Sequence, residues 1–260
     1  MKSLVSLTEA LIVRVSLATM LAVAGTLLVF PLSSAHAYTH YLNNFDSNPN
    51  DFLCGKSQTS PCLAWFQPYH QSITLSAYFD PALHTAISLF GGYYDFTVAI
   101  DQAFTDWNSQ PAWNPYLVSC GSSTSCEANA NVSYSMADLG QFVWGYTDDI
   151  DFYGTVSCFN TPASTTTCNG SPGYWYAAFY YVPVYFNTEM SWDSSNQYGK
   201  MNADGIKVAT HETGHLLGLG HTGHSPAIMR QGQVSYESVQ ADDFNGLWSI
   251  YPGYYPSGNQ

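Results

Sequence analysis

The residues best able to do chemistry lie between Thr210 and Met229, where positions 210 to 221 read Thr-His-Glu-Thr-Gly-His-Leu-Leu-Gly-Leu-Gly-His. His211 and His215 are four apart, so on a helix both imidazoles project from one face, one turn from each other, and can reach a single ion. Glu212 sits beside that face, placed to touch a water held there without itself binding the ion. Gly218 can take the positive φ that ends a helix and turns the chain. That turn would bring His221 back as a third ligand. Three neutral imidazoles leave one position open, which marks a catalytic rather than a structural zinc site.

These residues need elements to hold them. A helix is expected from about Asn202–Asp204 to Leu217, carrying Ile206, Val208 and His211. Upstream, residues 73–79 alternate as a strand and stop at Asp80-Pro81. Phe96, Ile100, Ala103, Phe104 and Trp107 fall on one face of an amphipathic helix, with Asp95 placed to cap it. From about 115 to 187 the text is β-like, with runs at 131–134, 141–146 and 179–186 separated by polar loops. Pro183 demotes the last run to an edge strand or a bulge. A final helix is expected over 239–250, before Pro252.

The pattern His211-Glu212-x-x-His215-x-x-Gly218-x-x-His221 followed by Met229 resembles the metzincin clan of zinc endopeptidases. Met229 would correspond to the Met-turn beneath the metal. Thr222 after the third histidine, and the run Asp242-Asp243-Phe244-Asn245-Gly246-Leu247-Trp248, are similar to the matrixins, the matrix-metalloproteinase-like family. The resemblance covers roughly residues 72–251. It implies an α+β, zincin-like fold: a twisted, mostly parallel sheet with an antiparallel edge strand, an active-site helix, the Met-turn and a C-terminal helix. It also implies one catalytic zinc on His211, His215 and His221, with Glu212 as general base for hydrolysis of protein or peptide substrates. In that family the substrate lies along an edge strand, for which Tyr180, Val182, Val184 and Tyr185 are the candidates, an ordinary aromatic core strand being the other reading. The loop 231–234 would wall the specificity pocket. The chain departs from the family in having no Pro-Arg-Cys-Gly inhibitory segment; Cys54-Gly55 is the nearest zinc-blocking candidate, and Cys62 is its more economical partner. Arg230 stands where many relatives have Tyr.

Composition sets the surroundings. Six Lys+Arg against 19 Asp+Glu give a net charge of −13 over 260 residues, which excludes a phosphate-tracking nucleic-acid binder. Lys2 and Arg14, an apolar run from Val15 to Phe30 and the exit Ala35-His36-Ala37 read as a secretory signal peptide over 1–37. That run is shorter than the roughly 20 residues a membrane span needs, so no membrane association is expected after cleavage. A disulfide-pinned arm over 38–71 and a catalytic domain over 72–256 would follow, secreted and monomeric. The six cysteines form three pairs close in sequence, Cys54/Cys62, Cys120/Cys126 and Cys158/Cys168, and an exported chain would oxidise them. Asp148, Asp149 and Asp151 resemble a calcium loop, with a solvated acidic loop as the alternative. His224 reads as a loop histidine rather than a fourth ligand. The competing functional class is a catalytically silent zinc-binding module on a protease scaffold.

Overall fold

The structure is a computed structural model, and it describes residues 62–65, 73–109, 115–141, 143–148, 156–160, 167–194, 204–223, 225–230, 232 and 234–250. All of them belong to one compact unit, His36–Gln260. The leader over 1–37, Cys54, Asp149, Asp151, His224, Gln231, Gln233 and the tail beyond 250 lie outside the described residues.

The main sheet has five strands in the order β5 (Tyr116–Gly121), β2 (Thr74–Phe79), β6 (Val132–Ala137), β11 (Val182–Asn187) and β7 (Gly145–Thr147). The first four run parallel, and β7 closes the sheet antiparallel to β11. This is the mostly parallel sheet with an antiparallel edge expected of the α+β class. Alternation places Leu75, Ala77 and Phe79 of β2 in the core, together with Val132 and Tyr134 of β6. Two helices fill the buried side. α1 (Phe96–Asn108) starts at Asp95, whose side chain accepts from the Thr97 amide, and buries Phe96, Ile100, Ala103, Phe104 and Trp107. α3 (Gly205–Leu216) starts at Asp204, which accepts from the Lys207 amide. α2 (Thr124–Glu127) is a single short turn, and α4 (Ala241–Ile250) ends the described chain.

The 179–186 run is not one strand. Its first residue ends β10 (Ser171–Phe179), the centre of a second sheet with β1 (Cys62–Trp65), β8 (Ser157–Asn160) and β9 (Thr167–Cys168). After Tyr180 and Tyr181 the run enters the main sheet as β11. A small hairpin, β3 (Ala86–Ile87) and β4 (Tyr93–Tyr94), completes the strands.

Nor is β11 an edge. It lies between β6 and β7, and Val182 and Val184 are fully buried. Pro183 is tolerated because of which neighbour its missing N–H would face. Val182 N–H points to β6, donating to Asn131 O, whereas Asn187 N–H points to β7, donating to Trp144 O. Alternation therefore turns Pro183 nitrogen toward β7, at the last rung of that ladder, where Asp148 N–H still reaches Pro183 O at 3.0 Å. One donor is missing at the end of a short strand, and the parallel ladder to β6 is intact.

Disulfides join Cys120 to Cys126, tying the end of β5 to α2, and Cys158 to Cys168, tying β8 to β9. β1 belongs to the stretch expected to be an extended arm, yet it is a paired strand. Its Trp65 is buried against Phe179 and donates to Leu216 O at the end of α3 at 2.9 Å.

Candidate active site

Helix α3 carries His211, Glu212 and His215 on a fully buried segment. Its C-terminus closes with Gly218 at φ 95°, an angle that disfavours any side chain. Gly218 N–H donates to His215 O at 2.8 Å and Leu219 N–H to Gly214 O at 3.0 Å, the paired bonds of a Schellman turn. The turn reverses the chain so that His221 returns to the helix it has just left. The three Nε2 atoms then lie 3.1, 3.1 and 3.2 Å apart.

The tautomers follow from the other ring nitrogens. His211 Nδ1 is 2.7 Å from Ile228 O and His215 Nδ1 is 2.7 Å from Leu219 O. A carbonyl only accepts, so each Nδ1 carries the hydrogen and each Nε2 presents a lone pair. Burial pushes the His211 pKa down to about 4, the bond to Ile228 opposing it, so that ring is neutral at ordinary pH. Lone pairs converging at this distance repel unless a cation stands between them. Tetrahedral zinc with bonds near 2.0–2.1 Å needs donors about 3.3 Å apart, so the triangle fits that ion. Among the described residues this is the one group of three or more His, Cys, Asp or Glu able to hold a metal.

Glu212 is 6% exposed. Burial raises its pKa to about 7, and a hydrogen bond from Thr147 Oγ1 to Oε2, 2.8 Å long, pulls the other way. The site thus joins a buried carboxylate that can hold a proton near neutral pH to a metal-ready set of imidazoles.

The family comparison agrees with this geometry: residues 163–252 match the model of the matrixin (Peptidase_M10) family. That match supports a matrixin-family catalytic domain around the site. No curated protein matches the chain. The matched stretch begins shortly before β9, extends past the end of α4 and contains the histidines, Glu212 and Met229. Matrixins are zinc metallopeptidases, so the family supports zinc as the ion, and protein or peptide as the substrate class. No helix among the described residues is long and apolar enough to cross a membrane.

Residues outside the motif support the matrixin site from below. Met229 is buried against α3 at Gly214, where a Cβ would overlap the methionine thioether and approach Trp107 Cζ2 to 2.9 Å. Trp107 in turn donates to Thr210 O at 2.9 Å. Asp243 of α4 is 3% exposed, and accepts from the amides of Ile228, Met229 and Gln240 at 2.8, 3.0 and 2.8 Å. It therefore fixes the bend whose Ile228 carbonyl orients His211. We predict that Asp243→Ala costs about 2–4 kcal/mol in a denaturant titration, because it strands buried amides. Zinc affinity should fall about 10- to 100-fold with the loss of that support.

The candidate substrate-binding residues lie on or just before β11, which is not an edge strand. Tyr180 precedes β11 and is 60% exposed, Val182 and Val184 face the core, and Tyr185 stacks on Tyr146 at 6.3 Å. Among the described strands the edge of the sheet beside α3 is β7, whose Gly145 and Thr147 contact Glu212. Of the loop expected to wall a specificity pocket, only Gly232 and Val234 are described. Two features of α3 escaped the sequence reading: Trp65 at its end, and Lys207, fully buried with its Nζ 3.4 Å from Asp204. Trp65 and Leu216 are 151 residues apart, beyond any local pattern, whereas Asp204 and Lys207 stand at the i,i+3 spacing of one helical turn.

Proposed function

We propose that the protein is an exported zinc endopeptidase in which His211, His215 and His221 hold the metal and Glu212 is the general base. The observation that carries the reading is the convergence of three Nε2 atoms beside a buried carboxylate. When bound, zinc polarises the scissile carbonyl and lowers the pKa of a water to about 7. Glu212 takes the proton from the attacking water and passes it to the departing amine. Met229 sets the floor of the site, and the Ile228 carbonyl, held beside it by Asp243, keeps His211 in its metal-binding tautomer.

The substrate lies extended along β7. Among the described residues no strand pairs with its outer edge, which is in a position to add one more strand to the sheet. Residues 1–37 act as a leader removed on export, 38–71 as an arm that contributes β1, and 72–256 as the catalytic domain. The chain works as a secreted monomer. Retention of Glu212 favours this reading over a silent zinc-binding module.

Incubation of the zinc-loaded protein with an unfolded casein-type substrate tests it. Cleavage that a chelator stops is the expected result; intact substrate beside protein that still holds zinc would establish the silent module. Profiling the cuts on a peptide library then gives the specificity.

A further inference from the structure

Two of the three residues of β7 address Glu212. Thr147 Oγ1 lies 2.8 Å from Glu212 Oε2 and 3.0 Å from the main-chain oxygen of the same residue, with Thr147 1% exposed. Gly145, two residues earlier and so on the same face, leaves no room for a side chain there. A Cβ there would stand 2.7 Å from Glu212 Cγ, 2.9 Å from Oε1 and 2.9 Å from Val208 Cγ1. Tyr146 points the opposite way, onto Tyr185. Each carboxylate oxygen thus has its own neighbour on the strand: Oε2 has the hydroxyl, and Oε1 has the bare glycine.

A glutamate on a helix has three rotatable side-chain bonds and, left free, spreads over several rotamers. A base that must meet one proton gains from having that freedom removed before the reaction starts. The geometry points to Thr147 as the residue that positions the Glu212 carboxylate, with Gly145 leaving the space in which it is held. The role rests on the peptidase reading and extends it. The strand whose outer edge would pair with the peptide also holds the base through its side chains. Scissile carbonyl and proton acceptor therefore share one rigid support, and neither depends on a loop for its placement.

Kinetics on one fluorogenic peptide, with zinc content measured on the same samples, test the assignment in wild type, Thr147→Val, Thr147→Ser and Gly145→Ala. In the valine variant kcat should fall about 10- to 100-fold, the scale expected for a catalytic group displaced by about an ångström. KM should stay within about threefold, since binding of the ground state is untouched. One zinc per chain should remain. Serine, which keeps the hydroxyl, should restore most of kcat, and Gly145→Ala should lose it as valine does. Should the valine variant fail to fold, Thr147→Ala carries the same expectation. Unchanged kcat in a hydroxyl-free variant of an active enzyme would overturn the positioning role alone, as would a serine variant as impaired as valine. A zinc-loaded wild type that cleaves nothing would overturn the peptidase reading and this role with it.

Discussion

Glu212→Gln is expected to keep its zinc and to lose peptide cleavage by about 10²- to 10⁴-fold, the share a positioned base contributes. Glutamine has nearly the same shape and can still meet the Thr147 hydroxyl, but its amide cannot take a proton from water. The variant should also be no less stable than wild type in the zinc-free state at neutral pH. The sign comes from the burial of the carboxyl, which raises its pKa from 4.5 to about 7. A carboxyl with a raised folded-state pKa stabilises the fold when protonated. It loses that contribution as pH rises through the unfolded value toward 7. Above that pH the ionised form is a burden that glutamine does not carry. Thermal melts of the two chelated proteins at pH 8 check the stability, and metal analysis with peptide kinetics checks the rest. A substantial loss of zinc in the variant would show that Glu212 serves the metal site rather than the proton.

His215→Ala should fail in the opposite manner. Its ring supplies one of three Nε2 donors, and its Nδ1–H ties the helix to the Leu219 carbonyl. With two donors left the site no longer encloses an ion, so purified protein should carry almost no zinc and cleave nothing. The stability signature is separate. A ligand bound only to the folded state adds about 4 kcal/mol when present at 1,000 times its Kd. Wild type should therefore melt lower after chelation, whereas the alanine variant should melt at one temperature with or without chelator. A variant that still responds to chelation by the full wild-type shift would place the ion elsewhere.

How far the sequence could be read depended on how local each feature is. His211, Glu212, His215, Gly218 and His221 lie within one helix and the turn that ends it, so their spacing alone implied a meeting point. Asp95 and Asp204, as helix starts, were legible for the same reason: a cap acts on amides two or three residues away. Strand order was not. The β-branched and aromatic text of β11 describes a strand without saying which strands flank it, and Pro183 pointed to an edge. What decides is the direction of one absent N–H, which faces the last rung of β7 and not the parallel ladder. Edge position passed instead to Gly145–Thr147, three residues too short for any period to show. Thr147 is separated from Glu212 by 65 residues, and no signal in its neighbourhood marks it as a partner. Trp65 and Leu216 meet across 151 residues through a second sheet that took part of the text between 156 and 179. Pairings of this kind are set by packing of distant segments, which hydrophobic periodicity does not encode.

The central claim is that one zinc on three histidines activates water for peptide hydrolysis. Its most direct test is to strip the metal, add zinc back in fractions of an equivalent, and follow cleavage of a fluorogenic peptide at each point. No cleavage is expected without metal, and a linear rise should reach its plateau at one zinc per chain. Full cleavage by the metal-free protein, or none at any zinc level, would contradict it.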